Sequence, residues 1–247
     1  MGLYRDDAVV LRVQKLGEAD RIVTLLFRRE GKIRAVAKGV AKVTSRIGAR
    51  LEPFNHVDVQ CYASPYAGRS LHNVRQVETI QPYGKYLVGN YSRYSCASAI
   101  VETAERLSGD DSESVSRLFA LTVGALRSMG VGEHAPGLIL DAYLLRAMAL
   151  AGWAPSLEQC AVCGSPGEYS AFSVQSGGMV CPTCRPPGCA SPSAAARELM
   201  VALLRGAWDT ADLSEPGIRR EASGLIAAHL QWHTERALRS LPLVDRN

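Results

Sequence analysis

The chain has few aromatic residues, 6% of its length, and no long apolar run. The longest such stretch, Leu138 to Ala151, is interrupted by Asp141 and Arg146. A membrane span needs about 20 apolar residues, so this segment predicts a core helix. The first residues carry Arg5, Asp6 and Asp7 where a secretory signal would be apolar. Seven cysteines is an odd number and a poor fit to a disulfide framework, so the expectation is a reduced, cytoplasmic protein. Nucleotide-binding signatures are missing too. Gly31-Lys32 and Gly84-Lys85 are followed by Ile33 and Tyr86, so neither is a P-loop. Gly130-x-Gly132-x-x-Ala135 follows a helical pattern, whereas a dinucleotide fingerprint follows a strand. His229 and His233 lack the glutamate of a zinc-protease motif and are read as packing residues. His233-x-Glu235 lies downstream of the cysteine pairs, the reverse of the order in zinc deaminases.

What is present is more specific. Cys160-x2-Cys163 and Cys181-x2-Cys184 are separated by 17 residues. Two residues between thiolates let one tight turn aim both sulfurs at one point, and two such turns complete a tetrahedral shell. Cys160, Cys163, Cys181 and Cys184 are therefore expected to bind one structural Zn²⁺ with no open position for chemistry. Paired disulfides or a redox pair are the competing readings. Gly164, Pro166, Gly167 and Pro182 supply knuckle turns, and Gly177-Gly178 suits a hairpin between the pairs. Cys189 is the one rival ligand; Cys61 and Cys96 lie in apolar stretches and are read as core.

Charge is unevenly distributed. Residues 1–80 hold 14 Lys or Arg against 8 Asp or Glu, a net of +6, while residues 81–247 net −2. Between positions 28 and 50 only Glu30 opposes Arg28, Arg29, Lys32, Arg34, Lys38, Lys42, Arg46 and Arg50. Such a cluster either neutralises phosphates or keeps a sheet edge soluble. Phe27, Phe54, Tyr62 and Tyr66 could stack on bases but fit a barrel core equally well.

The periodicity predicts an α+β chain in two domains. Residues 1–80 alternate as five strands, including Ala8–Val13, Arg21–Phe27, a return strand Lys32–Lys38 after a Gly31 turn, one over Val57–Cys61 and one over Ser70–Ile80. Five strands and one long basic connection, Lys38–Arg50, suggest an OB-fold barrel. Residues 81–247 read as helical, with spans at 86–107, 115–129, 138–151, 193–207 and 216–241. Gly130 and Gly152 are placed as C-terminal caps, and Ser191-Pro192 as the start of the fourth helix. The zinc module, about 153–190, interrupts these helices.

The order of the N-terminal motifs resembles a known family. Ala8 to Phe27 is followed by Glu30-Gly31-Lys32, Ala37-Lys38-Gly39, Leu51-Glu52-Pro53-Phe54 and Gly68-Arg69-Ser70-Leu71. This sequence, with the double cysteine pair, is similar to the bacterial RecO family over the whole chain. The resemblance implies an N-terminal OB domain, a helical domain and an inserted four-cysteine zinc module. It implies a recombination mediator and no enzyme: a nucleoid-associated protein that binds single- and double-stranded DNA and anneals complementary strands. Its implied partners are RecR, single-strand-binding protein and, indirectly, RecA. The charge argument, and no family motif, selects Arg28, Arg34, Lys38, Lys42, Arg46 and Arg50 as DNA contacts. The competing class is a zinc-ribbon-bearing nucleic-acid-modifying enzyme.

Overall fold

The computed structural model describes residues 2–42, 45, 47–63, 71–109, 111–167, 169–235 and 237–244. Packing divides the chain into two compact units, residues 1–131 and 132–247.

The first unit is built on a closed five-stranded barrel. Its strands are β1 (Leu3–Leu16), β2 (Asp20–Phe27), β3 (Gly31–Ala37), β4 (His56–Tyr62) and β5 (His72–Gln81). The order around the barrel is β1-β2-β3-β5-β4, with β4 returning to β1 and β3 parallel to β5. This is the OB arrangement. β1 is much longer than the alternating run Ala8–Val13, because its N-terminal half pairs with β4 and its C-terminal half with β2. A bulge between Val10 and Arg12 bends the strand through this change of partner. Ala8, Val10, Val23, Leu25, Phe27, Ala35, Val57 and Val59 fill the interior, as the period-2 pattern demands. Gly31 closes the β2–β3 turn at φ +71, and a Cβ there would lie 3.3 Å from Val115. Only glycine suits both conditions.

Three helices belong to this unit: α1 (Tyr83–Leu87), α2 (Tyr91–Leu107) and α3 (Ser112–Val131). The single helix expected over 86–107 is broken. The Asn90 side chain caps α2 by accepting from the Arg93 N–H, and Gly89 before it has poor helix propensity. α3 runs through Gly130, and Gly132, at φ +78, follows the helix in its place. α3 packs on β1, β2 and β3, which buries outward-facing Leu26 as completely as the barrel core.

The second unit holds α4 (Pro136–Leu150), α5 (Ala194–Arg205), the single turn α6 (Trp208–Ala211) and α7 (Pro216–Thr234). α4 packs on both α5 and α7. Its two charged residues are accounted for by what they touch. The buried Asp141 carboxylate accepts a hydrogen bond from Ser223 on α7 at 3.0 Å. Arg146 donates to the carbonyls of Leu203 and Leu204, which end α5 without intrahelical partners. Gly206 at φ +79 makes room, since a Cβ there would lie 2.6 Å from the Arg146 guanidinium. The cap of α5 is Ser193, two residues later than expected; its hydroxyl accepts from the Ala196 N–H and is held by Glu221. α7 stops at Thr234 with Glu235 in the left-handed region, short of the expected 241. Among the described residues no helix is long and apolar enough to cross a membrane.

Candidate metal centre and nucleic-acid interface

Between α4 and α5 the chain forms two knuckles joined by a hairpin, β6 (Ala171–Ser173) and β7 (Gly178–Val180). In the first knuckle the Gly164 N–H donates to the Cys160 carbonyl at 2.8 Å, and Gly164 adopts φ +71. In the second, a 3-10 turn over Pro182–Cys184 brings Cys184 back toward Cys181. The sulfurs of Cys160, Cys163, Cys181 and Cys184 all lie within 4.8 Å of one another. All seven cysteines are free thiols, so the paired-disulfide reading falls away.

The surroundings are those of a thiolate site. Backbone N–H groups of Cys163 and Cys181 stabilise the charged form of Cys160 and lower its pKa to about 6. Hydrogen bonds from Ser165 pull Cys163 down as well. Cys184 moves the other way, to about 12, because the neighbouring sulfurs of Cys181 and Cys163 oppose its ionisation. Four sulfurs this close cannot all be thiolates unless a cation lies between them. The donor set therefore fits a metal ion. Cys189 packs beside the cluster but is not one of the four grouped sulfurs. His229, 1% exposed, has Nε2 3.0 Å from the Trp153 carbonyl, and His233 stacks on the Trp153 ring. Burial lowers the His229 pKa. These two histidines pack, as their spacing without a glutamate suggested.

On the barrel, Arg28, Arg34, Lys38 and Lys42 are exposed, and among the described residues none forms an ion pair. Arg28 follows β2, and Arg34 lies on the outer face of β3 opposite Thr24. Lys38 and Lys42 bracket a turn stitched to the β1–β2 connection, where the Gly39 N–H donates to Asp20 at 2.7 Å and the Ala41 N–H to the Ala19 carbonyl. Arg50 differs: it is half-buried and donates to the Val77 carbonyl of β5. Arg46 lies outside the described residues. Four other cations counted in the +6 are compensated. Arg5 pairs with Asp58, Arg12 with Glu105, Arg21 with Glu52 and Arg29 with Asp6. Of the aromatic candidates, Phe27 and Phe54 are buried and Tyr66 lies outside the described residues. Tyr62 stands on the outer face, with the Arg75 guanidinium 5.7 Å above its ring. Arg75, unremarked in the sequence, is exposed and also without an ion pair among the described residues.

The comparisons with known proteins agree with this architecture. Residues 1–83 match the family model for the recombination protein O N terminus, and residues 88–242 match that for its C terminus. The chain is 56% identical over 246 residues to the DNA repair protein RecO of Thermobifida fusca (strain YX), covering 100% of both chains. It is 54% identical over 248 residues to the DNA repair protein RecO of Streptomyces coelicolor, again covering 100% of both. A closed five-stranded barrel, a helical unit with an inserted four-cysteine knuckle and full-length identity above half place the chain in the RecO family of DNA repair proteins.

Proposed function

We propose that this chain is a recombination mediator that binds single- and double-stranded DNA and anneals complementary strands. Together with RecR it helps to load RecA recombinase on DNA covered by single-strand-binding protein. The observation that carries the DNA-binding part is the set of exposed cations without carboxylate partners, Arg28, Arg34, Lys38 and Lys42, on the barrel. Arg46 extends the same segment, and Arg50 contributes through the local field while its guanidinium holds β5. These charges neutralise backbone phosphates without reading bases. Two strands held on one cationic surface repel each other less and meet at higher local concentration. Annealing needs those two effects and no catalytic side chain, so the protein acts without turnover. On this reading residues 1–80 form the DNA-binding domain and residues 81–247 the helical domain that carries the metal and partner surfaces. Such a protein works in the cytoplasm, at the nucleoid.

The metal is zinc. With a Zn–S distance of about 2.3 Å, an ideal tetrahedron has sulfur–sulfur edges of about 3.8 Å. The Cys163 and Cys181 sulfurs are 3.9 Å apart. Four thiolates fill the shell, so the ion cross-links the two knuckles and leaves no open position for a substrate.

The test is a fluorescence annealing assay with purified protein, complementary oligonucleotides and no nucleotide cofactor. Annealing faster than the spontaneous rate is expected. A spontaneous rate, or altered DNA products, would contradict the reading and favour a nucleic-acid-modifying enzyme.

A further inference from the structure

The pairing of β4 with β5 is interrupted between Gln60 and Cys61. Cys61 faces Val74 and Gln60 faces Gln76, so Arg75 is the extra residue of a bulge. The consequence is visible in the core: Val74 and Val77 both pack inward, three residues apart where a regular strand would place them two apart. A bulge of this kind re-aims a side chain. Here it turns the Arg75 guanidinium over the Tyr62 ring, at 5.7 Å from the centroid. The base of the step is held firmly, since the Tyr4 hydroxyl lies 2.8 Å from His72 Nδ1 at the first residue of β5.

The step also sits next to charge. Register links Tyr62 to Asn73 on β5, and Asn73 to Val36 on β3. Arg34 is two residues along β3 from Val36, on the same outer face, and Lys38 follows the strand's end. Strand spacing and rise place Tyr62 about 12 Å from Arg34 in backbone terms, within reach of one or two nucleotides. On the other side, Tyr62 pairs with Leu3, which is 58% exposed.

A half-buried tyrosine on the outer face of the barrel, capped by a planar guanidinium beside an apolar residue and unpaired cations, suits one kind of occupant. Duplex DNA presents phosphates but keeps its base faces stacked. Single-stranded DNA presents phosphates and free base faces together. We propose that Tyr62 and Arg75 form a stacking step for an unpaired base of single-stranded DNA. This inference rests on the DNA-binding reading above and adds a preference that charge alone does not give.

The experiment measures anisotropy of a labelled oligothymidylate and a labelled duplex hairpin with the full-length protein. Tyr62→Ala should weaken the single strand about five- to a hundredfold, the range of one base–aromatic stack, and leave the duplex unchanged. Its salt slope should stay that of the unmodified protein, because no charge is removed. Arg75→Lys keeps the charge but loses the plane, and should weaken only the single strand. Tyr62→Phe should restore binding. A fluorescent adenine analogue in the strand should be quenched by the unmodified protein and not by Tyr62→Ala. If Tyr62→Ala fails to fold, Tyr62→Leu keeps apolar bulk without a ring and must show the same selective loss. Undiminished single-strand binding, or equal loss on both substrates, would overturn the proposal. Failure of the underlying reading looks different: Arg34→Glu/Lys38→Glu would then leave both substrates bound as before.

Discussion

Replacing Cys181 and Cys184 with serine separates the metal's role from the DNA's. The hydrophobic cluster around the sulfurs buries Cys160, Ala171 and Val180, and the same hairpin also buries Phe172 and Met179. Burying such side chains stabilises by about 2 kcal/mol each, so the five contribute on the order of 10 kcal/mol. Ordering the backbone of even a dozen residues of two knuckles and a hairpin costs about 1–2 kcal/mol per residue, more than that burial supplies. A structural zinc supplies on the order of 10 kcal/mol or more, enough to close the gap. The double variant should therefore contain no zinc by elemental analysis and should melt earlier than the unmodified protein. Its DNA affinity measured well below the melting temperature should change little. The described module has only Glu158 and Arg185 as charges, and both are engaged, Glu158 by Arg205 and Arg185 by Ser191. It has no free cations with which to hold phosphates. Lost DNA affinity with an unchanged melting curve would refute this division of roles and place DNA on the knuckle itself.

Other outcomes follow from single contacts. Arg146→Ala uncaps two α5 carbonyls and empties a half-buried site, and should destabilise the second unit by about 1–3 kcal/mol in chemical denaturation. Phe27→Ala opens a cavity in the barrel and should cost about 3–5 kcal/mol, with loss of DNA binding only as the barrel unfolds. His229 has a lowered pKa, so the folded state prefers its neutral form. Its contribution to stability is complete above the ordinary histidine pKa and is lost as pH falls below it; His229→Gln should flatten that part of the stability-versus-pH curve.

Much of this architecture was legible in the chain. Alternation in Ile33-Arg34-Ala35-Val36-Ala37 and the glycine at position 31 marked the β2–β3 hairpin, because period and positive φ are local properties. The cysteine spacing marked the knuckles for the same reason. What escaped were features set by distant partners. The first half of β1 reads as polar, and only pairing with β4 makes it a strand. Cap positions slipped by two residues at Ser193 and Gly132, where neighbouring serines and glycines compete for the same geometry. Charge counting could not see that Arg12 is paired with Glu105, 93 residues away, or Arg21 with Glu52, 31 residues away. Nor could it find Arg75, whose position depends on a bulge between two strands.

The central claim is that exposed cations on the barrel bind DNA through its phosphates, and salt dependence tests it most directly. If Arg28, Arg34, Lys38 and Lys42 each neutralise one phosphate, log K for a single strand should fall with log salt at a slope of about −2.8. Affinity should then drop roughly fiftyfold between about 50 and 200 mM salt. Arg34→Glu/Lys38→Glu/Lys42→Glu should weaken binding to unrelated sequences alike and reduce the slope to about −0.7 or less. An unchanged slope and affinity in that variant, with the fold intact, would contradict the account and move the DNA surface off the barrel.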